Sequence, residues 1–322
     1  MASSKRNYSQ ASEPIPPKNL AEAPFNDKKA DLILQSCDQV HFYVFKLILS
    51  LASPVFTDMF SLPSPPSQNS RDEVEVVPVS EDSITLDVAL RHLYPMQTPE
   101  GDKLHYASIL AEFAQKYQVE ALNKSITSYL TDSIEHDPVG VYAIAVTYGY
   151  DRIGANAARS CLNLRFSDLK SPYLRCLTTE LELLKYHAAC GEAASAFASS
   201  NRTWCLSLTK NGIFTPQTGK SRDGIACNSC SMPDFIDQDR IEGGRDSDKV
   251  RTAPRCVWNY LHRSAIVLAH HPSAEEITTE FFVLKANSCK SCAQYMRGQM
   301  MEFSAALQKE IKKLVEKVSL SL

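Results

Sequence analysis

Short segments of alternating or continuous apolar residues begin at about residue 30 and predict β-strands. Two such segments are ADLILQS and VHFYVFK, which are separated only by Cys37, Asp38 and Gln39, a gap of hairpin length. A third segment is VEVVPV, in which Pro78 favours an edge position because proline has no N–H to donate to a ladder. The pattern predicts a small sheet with its last strand at an edge.

Segments with apolar residues at helical spacing follow these strands. LILSLAS and SPVFTDMF come after the hairpin, and Ser53 and Pro54 supply an N-cap and a first-turn proline for the second of them. Three further segments, DSITLDVALRHLY, LHYASILAEFAQKY and VEALNKSITSYLTD, come after the third strand. The predicted order is strand, strand, two helices, strand, three helices.

This order of elements, and the residues within it, resemble the BTB/POZ domain over roughly residues 25–132. The family's opening Asp-hydrophobic strand matches residues 31–34, its F-x-V-H-K-x-x-L segment matches residues 42–49, and its S-x-x-F-x-x-M-F segment matches residues 53–60. The histidine that is common in the family is Phe45 here, which resembles the fungal branch. The resemblance implies an α+β fold, a small sheet with a helical cluster.

The resemblance also implies protein–protein interaction rather than chemistry, often as a homodimer formed through the first helix and an N-terminal segment. The residues that correspond to such a surface are Phe25, Asp31, Lys46, Leu49, Phe56 and Phe60. Taken singly, the apolar residues among them are also typical of a domain core, and the two charges are also typical of a structural ion pair or of solvated groups.

Two other functions stay open on the sequence. Cullin-binding members of the family often carry a hydrophobic-x-Glu motif where this chain has SLPSPPSQNSRDE, and that insert contains no convincing match. A substrate adaptor of a cullin-type ubiquitin ligase is therefore one alternative. A nuclear, transcription-associated regulator is the other.

Composition divides the chain into five predicted parts. Residues 1–24 are rich in Ser, Pro, Lys and Glu and predict a flexible tail. The BTB/POZ domain is predicted at residues 25–133, followed by a mostly α-helical, Ala-rich extension at residues 134–205. A paired-cysteine module with a polar loop covers residues 206–292, and an amphipathic helix covers residues 293–322.

Two cysteine pairs of identical spacing stand in the last third of the chain. Cys227 and Cys230 form one C-x2-C motif, and Cys289 and Cys292 form the second after an interval of 58 residues. Such turns supply four soft thiolates, the ligand set that tetrahedral structural zinc prefers. The long interval is compatible with one site because loop-closure entropy rises only logarithmically with length. The spacing predicts a zinc ion that staples a small C-terminal module.

Other interpretations of these four cysteines stay open. They can be independent free thiols, or CNSC can be a redox pair, although it lacks the strand-to-helix setting of a thioredoxin motif. Cys256 or His262 can also replace one thiolate ligand of a zinc site. The fungal BTB proteins that the chain resembles often carry paired cysteines just before a terminal helix.

The remaining cysteines of the helical extension occur singly. Cys161, Cys176, Cys190 and Cys205 lie within apolar segments, which predicts buried, unreactive thiols. Cys190 lies one helical turn from His187, but a nucleophile–base pair needs a third group that orients the base, and the sequence identifies none.

The last predicted helix carries apolar residues at spacings of four, three, four, four, three and four. They are Met296, Met300, Phe303, Leu307, Ile311, Leu314 and Val318. Lysines and glutamates occupy the other faces, so the helix is strongly amphipathic. The pattern predicts packing on its own domain, with a short coiled coil as the alternative.

Charge and motif content narrow the class of function. A net charge of −3 with 22% charged residues gives no basic field for nucleic acid or membrane surfaces, so the expected partners are proteins. No segment has the ~20 apolar residues that a membrane span needs, and the N-terminal segment has no apolar signal core, which predicts an intracellular protein, cytoplasmic or nuclear. The motifs H-E-x-x-H, G-x-S-x-G and G-x-G-x-x-G do not occur, which predicts a non-enzymatic protein without a small-molecule substrate.

Overall fold

The computed structural model describes residues 19–62, 74–96, 100–200, 255–273, 275–285 and 297–320. Its contacts divide the chain into two compact units, Met1–Tyr129 (unit 1) and Leu130–Leu322 (unit 2). The two units are described separately.

In the described part of unit 1, the sheet has four strands. They are β1 (Asn19–Leu20), β2 (Leu32–Gln35), β3 (Val40–Val44) and β4 (Glu75–Pro78). Their order across the sheet is β1-β3-β2-β4, with β2 and β3 antiparallel and the two outer pairings parallel. The predicted edge position of the strand that contains Pro78 is confirmed.

The predicted hairpin between β2 and β3 is also confirmed. Leu32 pairs with Val44 and Gln35 pairs with His41, so the register leaves a short connection. Gln39 closes it with a φ of 66°, the left-handed conformation that a tight turn requires. The Ser36 hydroxyl accepts a 2.9 Å hydrogen bond from the Val40 N–H, which fixes the turn from inside.

Helices of unit 1 begin where side chains can accept from free backbone N–H groups. They are α1 (Lys46–Ala52), α2 (Pro54–Ser61), α3 (Ser83–Leu93) and α4 (Lys103–Tyr117), followed by α5 (Asn123–Ser133), within which the chain passes into unit 2. The Ser53 hydroxyl accepts from the Phe56 N–H at 3.1 Å, as the Ser-Pro start predicts. Asp82 and Asp102 cap α3 and α4 in the same way.

An aromatic cluster forms much of the core of unit 1. Phe56 is fully buried, and its ring stacks on Tyr117 with 4.6 Å between centroids. Phe113 lies 4.6 Å from the same tyrosine ring. The Ser53 hydroxyl donates to the Tyr117 carbonyl at 2.5 Å, so one residue both caps α2 and ties it to the end of α4.

Unit 2 is built from helices. They are α6 (Pro138–Thr147), α7 (Asp151–Cys161), α8 (Leu177–Ser200), α9 (Arg255–His270), α10 (Glu280–Lys285) and α11 (Arg297–Val315). The small residues of this part permit close packing: a Cβ added to Gly191 of α8 would lie 2.6 Å from the Ala269 carbonyl oxygen of α9. Within the predicted helical extension, α6, α7 and α8 are helical, and α8 is in direct contact with α9. The bounds of the extension stay a prediction.

Helix α11 buries one stripe against its own unit. Met300, Phe303, Leu307 and Ile311 are fully buried, and α11 packs on α8, α10 and the 3-10 turn that precedes α10. Packing on its own domain, predicted ahead of a coiled coil, is confirmed. The helix ends at Val315, and this residue, rather than the predicted Leu314, continues the buried stripe because 3.6 residues per turn place it on that face.

Candidate functional site

The short helix α1 carries exposed leucines. Leu47 is 68% exposed and Leu51 is 81% exposed, and their spacing of four residues places them on the same face of the helix. Leu62, which follows α2, is also largely exposed. A surface leucine alone is ordinary, but two on one helix face provide an apolar surface suited to docking.

Hydrogen bonds at the start of α1 fix which face points outward. The Lys46 N–H donates to the Asp31 carboxylate at 2.8 Å, and the Phe45 N–H donates to the Tyr94 hydroxyl at 2.8 Å. Leu49 is fully buried beneath the helix. Because the helix is anchored at its N-terminus and by Leu49, Leu47 and Leu51 remain on the outside.

Asp31 and Lys46 do not form the ion pair with each other that the sequence suggested. The Asp31 carboxylate accepts from the backbone of Lys46, as an N-terminal cap does, and the Lys46 ammonium lies 2.5 Å from Glu75 instead. The same ammonium lies 5.7 Å from the centre of the Phe60 ring. The partner of Lys46 comes from β4, which is remote in sequence, so local spacing could not identify it.

The apolar members of the predicted interaction surface lie mostly inside the domain. Phe25, Leu49 and Phe56 are buried, which is the core position that the sequence also allowed. Phe25 is in contact with Phe42 and stands edge-on to Tyr94, with ring centroids 5.4 Å apart in the second case. Of the three, Leu49 is the one on α1, and it anchors the helix from the buried side. A direct contribution of the predicted set to a dimer stays a prediction.

Half-buried Phe60 marks the border of this core. Its ring stacks on Phe56 with centroids 5.8 Å apart, while its other side approaches Lys46. The exposed residues Leu47, Leu51 and Leu62 were not among the predicted set. The sequence did contain a signal for them. The LILSL segment has more apolar residues than one buried helix face can hold, which indicates that some of them are exposed.

A second polar cluster in unit 1 ties the start of α3 to α4. The Glu81 carboxylate, 9% exposed, accepts from the Tyr117 hydroxyl at 2.7 Å and pairs with the Lys116 ammonium. Lys116 also donates to the Ser80 hydroxyl. Burial and the adjacent Glu81 charge raise the pKa of Tyr117 far above its usual range, so the phenol stays neutral and remains a donor. The cluster therefore joins the residues just before α3 to the end of α4.

Two cysteines of unit 2 are buried, as predicted. Burial raises the pKa of the Cys161 thiol to about 12 and that of Cys190 to about 11, so both are inert at neutral pH. The His187 ring bonds to the Leu164 carbonyl at 3.0 Å, and the Tyr186 hydroxyl is the hydrogen-bond partner of Cys190. The geometry gives no nucleophile–base pair.

The prediction that Cys176 is buried is wrong. Cys176 is exposed at the residue before α8, where its sulfur lies 2.8 Å from the Thr178 hydroxyl. This hydrogen bond, together with those to the Thr178 and Thr179 backbone and the Thr179 side chain, lowers the pKa of the thiol to about 7. The apolar context that suggested burial belongs to the neighbouring Leu177, which is itself exposed.

The predicted zinc ligands Cys227, Cys230, Cys289 and Cys292 lie outside the described residues, as does Cys205. The side chain of Cys256 is likewise outside them, whereas His262 is exposed on α9. Within the described ranges, His, Cys, Asp and Glu side chains form no group of three or more that could hold a metal ion. Likewise, none of the described helices is both long and apolar enough to cross a bilayer.

Comparison with known proteins bears on the first part of the chain. No curated protein matches the sequence. The family model of the BTB/POZ domain matches residues 22–134, which include strands β2 to β4 and helices α1 to α5. The fold of this segment, a small sheet with a cluster of helices, agrees with the α+β class that the sequence implies. The chain therefore contains a BTB/POZ domain, which is a protein–protein interaction module.

Proposed function

We propose that this chain is a non-enzymatic interaction protein that self-associates through its BTB domain, with the exposed face of α1 in the interface. The observation that carries the proposal is the pair Leu47 and Leu51, which lie on one helix face and are 68% and 81% exposed. We define the α1 face as these two residues.

The energetics favour a second copy of the chain as the occupant of the α1 face. A twofold dimer brings the same surface of both subunits together, so a purely apolar stripe is complementary to itself without matching charges. Full burial of a leucine side chain stabilises by about 1.5–3 kcal/mol, and a dimer would bury this residue pair twice. The proposed interface therefore depends strongly on these two residues.

Two tagged copies of the full chain, expressed together, test the proposal. We expect the wild-type copies to co-purify, and we expect Leu47→Ser with Leu51→Ser in both copies to abolish this recovery, because the apolar contact is lost on both sides. Ile84→Ser is the matched control, since Ile84 is 61% exposed on α3 of the same unit. Failure of the wild-type copies to co-purify, or equal loss in the control, would overturn the proposal.

The cullin-adaptor and transcription-associated functions are the alternatives. Each would use the BTB domain to bind a different protein, so each predicts a partner other than a second copy. A pull-down from cell extract with the wild type and with the Leu47→Ser, Leu51→Ser variant would distinguish them. A cullin in the wild-type sample would favour the adaptor, and a purely cytosolic location by imaging would exclude the nuclear regulator.

We also propose that Cys227, Cys230, Cys289 and Cys292 bind one structural zinc ion. The support is the repeated C-x2-C spacing, which provides four thiolates and leaves no open position for a catalytic water. Elemental analysis of the full chain should find one zinc ion per chain. Cys227→Ser should lower that ratio and the thermal stability, whereas Cys37→Ser, at an exposed thiol in unit 1, should change neither. A zinc-free wild type would contradict the proposal.

A further inference from the structure

Three consecutive carbonyl groups follow α7, and each accepts a hydrogen bond from a different residue. The Leu164 carbonyl accepts from His187 Nε2 at 3.0 Å, and the Leu162 carbonyl accepts from the Ser273 N–H at 3.1 Å. The carbonyl between them, that of Asn163, accepts from His271 Nε2. We call this group the carbonyl clasp: the turn 162–164 with its donors His187, His271 and Ser273.

The clasp defines the protonation state of His187. A carbonyl oxygen can only accept, so Nε2 must carry the proton, and in the neutral ring Nδ1 then carries a lone pair. His187 is fully buried, and its Nδ1 has no partner among the residues that the structure describes. A second proton would create a buried charge and a buried N–H without an acceptor, and both are costly.

The surroundings of His187 add to this cost. Burial is the main cause that lowers its pKa. The hydrogen bond to the Leu164 carbonyl raises the pKa by a smaller amount, and His271 and His270 at the end of α9 lower it slightly further. The Phe166 ring covers the imidazole at 5.8 Å between centroids. Burial and these neighbouring groups together favour the neutral form of the His187 ring.

A carboxylate lies beside the second histidine of the clasp. The Nδ1 atom of His271 is 3.5 Å from the Glu276 carboxylate, and its Nε2 donates to the Asn163 carbonyl. His187 has no such neighbour, because its Nδ1 has no partner among the described residues. His187 is therefore the member of the clasp at which a second proton would find no acceptor.

The clasp also forms one wall of a cleft. Leu162, Asn163 and Ser273 line a cleft of about 210 Å³. The charged groups of its other walls are Arg159 of α7, Glu275 of the segment before α10, and Lys312 and Glu316 at the end of α11. A movement of the turn 162–164 would therefore alter the shape of this cleft.

We propose that the carbonyl clasp is an acid-sensitive latch, in which protonation of His187 releases the turn 162–164 from α8 and opens the wall of the cleft. The inference does not depend on self-association through the BTB domain.

The direction of the pH effect follows from linkage. Because the pKa of His187 is lowered in the folded chain, the opened state binds more protons, so the clasp is fully closed above the ordinary histidine value and weakens as pH falls below it. At pH 5.5 an opened histidine with a pKa of about 6.5 is protonated about ten to one, so opening can rise up to about tenfold.

Hydrogen exchange of the full chain at pH 7.5 and 5.5, corrected for intrinsic rates, tests the latch. We expect wild-type protection in the turn 162–164 and the middle of α8 to fall at the lower pH. His187→Gln should retain it, because glutamine keeps an N–H donor for the Leu164 carbonyl and does not titrate. His262→Gln, at an exposed position of α9, is the control and should behave like the wild type.

Protection in the wild type that does not fall at pH 5.5, or an equal fall in His187→Gln, would overturn the proposal. A second measurement requires no variant. In a histidine NMR titration of the wild type, the ring that contacts Phe166 should titrate below about 6.5, the ordinary value. A midpoint at or above that value would also overturn the latch.

Discussion

The two units of this chain can be compared at one buried polar group each, Glu81 in unit 1 and His187 in unit 2. In unit 1, the nearly buried Glu81 is bonded by Lys116 and Tyr117, so each group of the cluster has a partner. In unit 2, the Tyr142 hydroxyl and His187 Nδ1 are buried without a partner among the described residues. The Glu81 carboxylate is therefore held by two partners, whereas a second proton on His187 would find no acceptor among the described residues.

Both units also leave apolar side chains exposed, but in different settings. In unit 1, the two leucines of the α1 face lie on one side of a single helix. In unit 2, the apolar stripe of α11 is buried, whereas Leu177 and Phe281 are exposed on two separate helices. The two proposals accordingly place docking on the α1 face of unit 1 and the response to pH on His187 of unit 2.

The largest expected effect concerns the interior of unit 1. Phe56→Ala should destabilise the chain by about 3–5 kcal/mol, because it removes a fully buried ring that stacks on Tyr117. The exposed Ile84→Ala should stay within about 0.5 kcal/mol of the wild type. Urea unfolding followed by circular dichroism measures both. Similar midpoints for the two variants would show that Phe56 is not a core residue.

An intermediate effect on stability is expected when the nearly buried ion pair of unit 1 is removed, compared with an exposed ion pair of unit 2. Glu81→Ala should cost about 1–3 kcal/mol, because it leaves the Tyr117 hydroxyl without its acceptor in a largely buried place. Glu310→Ala removes an exposed pair with Lys313 on α11 and should cost at most about 0.5 kcal/mol. Equal losses in the same unfolding experiment would contradict the view that unit 1 depends on its buried cluster.

The smallest expected effect concerns the reaction rate of the exposed thiol of unit 2. With its pKa lowered to about 7, about half of Cys176 is thiolate at pH 7, whereas Cys161 and Cys190 are buried and protonated. Iodoacetamide should therefore modify Cys176 first of these three, as peptide mass spectrometry can show. Thr178→Val should slow the reaction, because it removes the main hydrogen bond to the sulfur. An unchanged rate would contradict this cause.

Local patterns predicted much of the first unit. Pro78 indicated an edge strand and Ser53 with Pro54 indicated a capped helix start, because each effect acts within a few residues. Strand β1 was not predicted, since its two residues gain their structure only by pairing with β3, about twenty residues away. The partner of Lys46 and the exposure of Leu47 also depend on contacts remote in sequence.

The structure of unit 2 depends even more on contacts between residues that are remote in sequence. The apolar spacing of α11 and the Ala-rich helices could be read locally, but the carbonyl clasp joins residues as far apart as Leu162 and Ser273, 111 positions. Single cysteines gave no signal that distinguished exposed Cys176 from buried Cys190. The paired cysteines remain a prediction from spacing alone.

The central claim is that the α1 face joins two copies of this chain. Light scattering of the purified full chain at micromolar concentration tests it most directly. We predict a mass near twice 35.8 kDa for the wild type and near 35.8 kDa for the Leu47→Ser, Leu51→Ser variant. A monomeric wild type, or a variant that keeps the doubled mass, would contradict the account.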